Sequence, residues 1–181
     1  VSYVHYEITP IEEGHEFEVY FDVSAQLTGD LAEQKLQVYR EPGHVWFGNA
    51  EQKVLNRCGD DVRIDWGYLH LVHENAALVG LRHRQVVVGE KSDTPDKLLD
   101  PPKTYPASAC PLLCASSKKH RDTFVVAYDD IHSIEYNHKP AGCYYKSVYG
   151  NFDTMLRKAV EEKDVLLDAC KKYDAKILAD M

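Results

Sequence analysis

Apolar and polar residues alternate along most of residues 1–150. From Glu16 to Ser24, the residues Phe17, Val19, Phe21 and Val23 alternate with Glu18, Tyr20 and Asp22. A period of two places the apolar set on one face of a strand and the acids on the other. Comparable segments run from Ser2 to Ile8, Leu36 to Arg40, Val62 to Val72, Ala77 to Val88 and Thr123 to Tyr136. Turn signals separate them at Thr28-Gly29-Asp30, Pro42-Gly43, Gly59-Asp60-Asp61 and His73-Glu74-Asn75. Strands joined by short polar turns, without helices between them, predict a mainly β fold of antiparallel sheets, a sandwich or a barrel. Residues 92–119 interrupt the rhythm with Pro95, Pro101, Pro102, Pro106 and Pro111. Proline has no ladder donor, so this stretch is expected to be a long loop and not a central strand.

The period changes near Asn151. Leu156, Ala159, Val160, Leu166, Leu167, Cys170, Tyr173 and Ile177 recur at spacings of three and four, which predicts a C-terminal α-helix over residues 151–181 with one apolar stripe. Asn151 or Asp153 is the candidate N-cap after Gly150. A helix of about 26 residues is about 39 Å long. That length exceeds what a small β-domain covers, so the stripe is expected to face helical partners. Val1 opens the chain without an initiator Met, and Met181 falls inside the helical pattern, so the chain reads as a piece of a longer protein.

Composition narrows the class. A chain of 181 residues is one domain or one domain with an appendage. The formal net charge of -8 argues against a nucleic-acid-binding surface, which needs a basic stripe. The one basic cluster, Lys118-Lys119-His120-Arg121, runs directly into Asp122 and reads as a solvated turn. No membrane span is present: no stretch approaches the ~18 consecutive apolar residues that one needs. Cys58, Cys110, Cys114, Cys143 and Cys170 make an odd number of cysteines, so at least one is a free thiol or pairs with another molecule. Cys110 and Cys114 either close a small disulfide or remain two thiols.

Candidate chemistry gathers in two runs. In Gly59 to Val72, Val62, Ile64, Trp66 and Tyr68 would share one face of a strand, and Arg63 and Asp65 the other. Trp66 with Tyr68 reads either as a stacking platform or, preferably, as a core tryptophan beside a structural Gly67. In Phe124 to Tyr136, Asp129 and Asp130 would point to opposite faces of a strand unless a bulge intervenes, whereas Asp130 and His132 would share one. An Asp–His pair can orient a catalytic base. With no nucleophile in matching context, a hydrogen-bonded polar pair is the plainer reading. No metal and no cofactor is expected: His70 and His73 do not share a strand face, Arg82-His83-Arg84 would repel a cation, and Gly59-Asp60-Asp61 is too short for a calcium loop. No phosphate-binding glycine loop or nucleophile elbow occurs.

Four segments in order carry a resemblance: Tyr20 to Ala25, Gly59 to Tyr68, Ala127 to Tyr136, and the helix entry from Asn151. Together they resemble the N-terminal region of the glutaminase A family of fungi and bacteria, over most of the chain. The resemblance implies an extracytoplasmic parent that hydrolyses L-glutamine to L-glutamate and ammonia. It further implies a supersandwich-like β-domain over 1–150, followed from 151 by the start of a helical-hairpin domain that supplies most of the reaction pocket. Asp164 to Asp174 resembles the beginning of that helical region. Tyr144-Tyr145-Lys146 departs from the Tyr-Trp-Arg-like element of relatives, so no role is inherited there. On this reading the chain has no complete active site and its catalytic residues are unknown. Asp65, Trp66, Asp129, Asp130 and His132 are candidates for the substrate-binding rim, and the partners are the parent's own helical domain and its small-molecule substrate. The alternative is a carbohydrate-binding accessory domain of a glycosidase-like enzyme, resting on Trp66 and Tyr68.

Overall fold

A computed structural model describes residues 1–12, 14–29, 31–56, 64–80, 97–98, 104–107 and 111–179. Its elements are β1 (Ser2–Glu7), β2 (Val19–Ser24), β3 (Lys35–Glu41), β4 (His44–Asn49), β5 (Tyr68–Val72), β6 (Ala77–Gly80), β7 (Lys97–Leu98), β8 (Thr104–Pro106), β9 (Leu112–Ser117), β10 (Arg121–Asp129), β11 (Ile134–Tyr136), β12 (Lys139–Ala141), α1 (Tyr144–Tyr149) and α2 (Phe152–Ala179). The chain divides into two compact units, a β-unit over Ser2–Cys143 and a helical unit from Tyr144 onward.

In the β-unit a six-stranded sheet has the order β1-β10-β5-β4-β3-β8, and a four-stranded sheet has the order β2-β9-β6-β7. A small hairpin, β11-β12, forms the third sheet. Every pairing among the described residues is antiparallel. The fold is therefore mainly β, an antiparallel sandwich followed by a C-terminal helix.

Alternation builds the core. Leu36, Val38, Val45, Phe47, Leu69, Leu71 and Phe124 from the large sheet meet Val23, Leu113 and Ala115 from the smaller one. Phe21 stacks on Phe124 across the interface with ring centroids 5.4 Å apart. Each of the large side chains contributes about 2 kcal/mol by leaving water. The corner where β9 hands over to β10 is tied by a buried polar group. Asp122 accepts from Ser117 Oγ at 2.6 Å and lies 3.1 Å from His73 Nε2, while the Asn75 N–H donates to His73 Nδ1. That donor into Nδ1 places the ring proton on Nε2, facing the carboxylate. Burial alone would raise the Asp122 pKa, but the Ser117 hydroxyl, His73 and the Thr123 amide outweigh it and hold the carboxyl at about 2.

The outer face of the large sheet is aromatic. Tyr39, Trp46 and His70 are direct cross-strand partners. Their rings stack in a row, Tyr39 to Trp46 at 5.3 Å and 8° and Trp46 to His70 at 5.8 Å and 13°. Parallel rings this close lie face against face, so both faces of the Trp46 indole are occupied by its neighbours. This row explains why β4 escapes the alternation rule: His44-Val45-Trp46-Phe47 is apolar or aromatic on both faces. The β3–β4 hairpin turns on Pro42-Gly43, with Gly43 at φ +71.

Four expectations are corrected. Among the described residues of the strand proposed for Val62 to Val72, 64–72, only Tyr68–Val72 is a strand, because Gly67 turns the chain at φ +90. The strand proposed for Thr123 to Tyr136 ends at Asp129 and resumes as β11, with Ile131 between them at φ +61. The loop expected over 92–119 contains β9, which is a central strand between β2 and β6. Its last proline, Pro111, precedes the ladder, and the Pro111 carbonyl accepts the Ala25 N–H at 2.9 Å. Glu16–Glu18 lies outside β2, which begins at Val19. Residues 57–63 and 81–96 lie outside the described residues. With them go Cys58, Gly59-Asp60-Asp61, Arg82-His83-Arg84 and the end of the Ala77 to Val88 segment. Asp30 and Cys110 also fall outside, as does the question of a Cys110–Cys114 disulfide.

In the helical unit Gly150, at φ +81, separates α1 from α2. Asn151 is the N-cap: its Oδ1 accepts the Thr154 N–H at 2.8 Å, and Asp153 occupies the first turn. Tyr145 packs edge-on against Phe152. Phe152 and Leu156 are buried, but the stripe then runs into solvent: Leu166 is 41% exposed, Tyr173 65% and Ile177 44%.

Candidate functional site

Two strand breaks meet where β10 enters its turn. On one side, Asp65, Trp66 and Gly67 lead into β5. On the other, Asp129 and Asp130 leave β10. Asp129 pairs with Tyr68 in the ladder, which brings Gly67 against the β10 backbone. A Cβ on Gly67 would overlap the Asp129 carbonyl oxygen. A Cβ on Gly48, across in β4, would overlap the Gly67 carbonyl and the Tyr68 ring. Glycine at both positions is what allows the three segments to approach. The structural glycine expected at position 67 thus serves a close approach of two backbones.

Side-chain clamps hold the crossing. The Trp66 Nε1–H donates to the Asp130 carbonyl at 2.8 Å and leans toward the His132 carbonyl at 3.4 Å. The Tyr128 hydroxyl donates to the Trp66 carbonyl. Burial, and then the negative charges of Asp130, Asp65 and Asp129, push the Tyr128 phenol well above the ordinary tyrosine range, so it remains a donor. The Gly67 N–H donates to Gln52 Oε1 at 2.6 Å, and Gln52 Nε2 donates to the Asn49 carbonyl at 2.7 Å. Asp65 is buried, 3% exposed, and its Oδ2 accepts from Gln34 Nε2 at 2.8 Å.

All five rim candidates therefore lie in one neighbourhood, in roles that differ from those a continuous strand would give. Trp66 is 4% exposed and bonded through its indole, the core alternative for this residue, so its ring offers no open platform. Asp130 and His132 share no strand face. They flank Ile131 in a tight turn, where the His132 N–H donates to the Asp130 carbonyl. The strand break also removes the separation expected between Asp129 and Asp130. Donor atoms of Asp129, Asp130 and Cys143 lie within 4.8 Å of one another. The Cys143 thiol donates to Asp130 Oδ1, the Ser133 hydroxyl donates to Cys143 Sγ at 3.1 Å, and the Ile131 N–H donates to Asp129 Oδ1 at 3.0 Å.

A β-branched residue with positive φ is strained by about 1–3 kcal/mol. Ile131 holds that conformation at the centre of the acidic turn. His132 Nδ1 is buried without a hydrogen-bond partner. These two costs fall on adjacent residues, where a fold selected for stability alone would relax them. Chemically the turn offers two carboxylates and a thiol, a set able to accept protons, bind a polar amide or ammonium group, or hold a cation. The second trio of possible ligands, His73, Glu74 and Asp122, is committed to the sheet corner, since His73 directs its Nε2–H at Asp122 and Glu74 pairs with Lys119 at 2.7 Å. His70 bonds His44 at 2.9 Å, in a different cluster from His73.

Reasoning from sequence missed Cys143, Tyr128, Gln52 and Gln34. Cys143 follows the β11–β12 hairpin, and its return to Asp130 could have been anticipated only from the Asn137-His138 turn, both residues of which adopt positive φ. Gln52 and Gln34 carry no local signal.

A family model for a domain of unknown function (DUF5127) matches residues 1–180. The chain belongs to that family. No curated protein and no solved structure matches the chain. The DUF5127 match spans both units, so helix α2 is as much part of the family pattern as the sandwich. No helix among the described residues is long and apolar enough to cross a membrane.

Proposed function

We propose that this DUF5127 chain is the β-domain and leading helix of an extracytoplasmic glutaminase-like amidohydrolase, non-catalytic by itself. Its parent would convert L-glutamine and water to L-glutamate and ammonia in a pocket formed largely by a helical domain of the same parent chain. The acidic turn of Asp129, Asp130 and His132 would sit at the rim, with Asp65 and Trp66 fixing it from behind. The observation that carries this reading is the exposed, one-sided apolar run of α2, with Leu166, Tyr173 and Ile177 all at least 41% exposed. Apolar surface of that extent along one helix marks a face made for a partner. The ordered motifs that resemble glutaminase A support a helical domain of that kind as the partner. The carbohydrate-binding alternative draws less support, because Trp66 is buried and Trp46 is stacked on both faces.

The test is ammonia release from L-glutamine by the purified chain and by the complete product of its gene. The expected result is no turnover by the chain and turnover by the complete product, reduced at least tenfold by Asp130→Asn. Turnover by the chain alone, abolished by Asp130→Ala, would overturn the proposal. So would a complete product that lacks helical hairpins after Met181.

A further inference from the structure

We draw no further inference here: the strongest candidate, the Asp129–Asp130–Cys143 cluster in the turn after β10, belongs to the site already described and, as an acidic pair with one cysteine, has no second observation that points to a ligand.

Discussion

Acidification should weaken the β-unit through one histidine. His70 lies in the aromatic row of the large sheet, 6% exposed, with its Nδ1 2.9 Å from His44 Nε2. Burial, and then the neighbouring His44, lower its pKa from the ordinary 6.5 to about 3. A base whose folded pKa is depressed stabilises the fold above its unfolded pKa. That stability is lost as pH falls from 6.5 toward 3, because the unfolded chain takes up the proton and the folded chain does not. The slope is about 1.4 kcal/mol per pH unit in that window. Between pH 7.5 and pH 4.5 the loss is therefore about 3 kcal/mol, a large share of a typical domain's stability. Urea unfolding followed by tryptophan fluorescence reports on the right unit, since Trp46 and Trp66 both lie within Ser2–Cys143. His70→Gln keeps a hydrogen-bonding side chain but cannot titrate. Its stability at pH 7.5 should be lower than wild type through lost stacking, yet it should fall about 3 kcal/mol less on acidification. Working above pH 4 keeps the Asp122 carboxylate, held at about 2, out of the comparison. Equal losses in wild type and His70→Gln would refute the linkage.

Three further outcomes follow from the same contacts. Gly67→Ala should destabilise the β-unit by about 3 kcal/mol in urea titration, because it adds an overlap with the Asp129 carbonyl to the strain of φ +90; Gly14→Ala, at φ +91 in open space, should cost only about 1 kcal/mol, and similar values would remove the close-approach argument. Asp122→Ala should cost about 3 kcal/mol at pH 7, since it strands the buried Ser117 hydroxyl and His73 N–H; wild type should show an acid limb, stability present above pH 3.8 and lost toward pH 2, that Asp122→Asn lacks. Asn151→Ala should cost the helical unit about 1 kcal/mol in a thermal melt followed at 222 nm, and Asp153→Ala less; the reverse order would reassign the cap.

The helix and most strands were legible because their residues obey one period throughout. In β2, Val23 faces the core and Asp22 faces water. In α2 the stripe and the Asn151 cap agree on the same start. Strand β4 was not legible, because aromatic residues on its outer face pack against Tyr39 and His70 and erase the alternation. Strand β9 was hidden by the prolines before it, although none falls within its ladder. The two long strands were overextended for a common reason. Alternation continues through Ile64 to Trp66 and returns in Ile134 to Tyr136, while the backbone at Gly67 and Ile131 has left the extended region. A pattern of side chains carries no record of a φ that a neighbouring segment imposes.

That failure and the site have one origin. If Thr123 to Tyr136 were a continuous strand, Asp129 and Asp130 would diverge and Cys143 would have no reason to reach them. Ending β10 at Asp129 turns the next residues back over Trp66, whose indole N–H needs the Asp130 carbonyl because water cannot reach it. The same turn aims both carboxylates and the thiol at one point. Trp66 is therefore best regarded as the positioning residue of the acidic turn. Trp66→Phe keeps an aromatic ring but removes the N–H together with part of the indole's volume, so it should free the Asp130 carbonyl and loosen the turn while leaving a small cavity in the core. Amide hydrogen exchange separates the two effects: protection at His132 should fall at least tenfold, with protection in β5 and β10 nearly unchanged. Uniform loss of protection across the sheet would mean that the tryptophan supports the core alone and that the turn holds its shape without it.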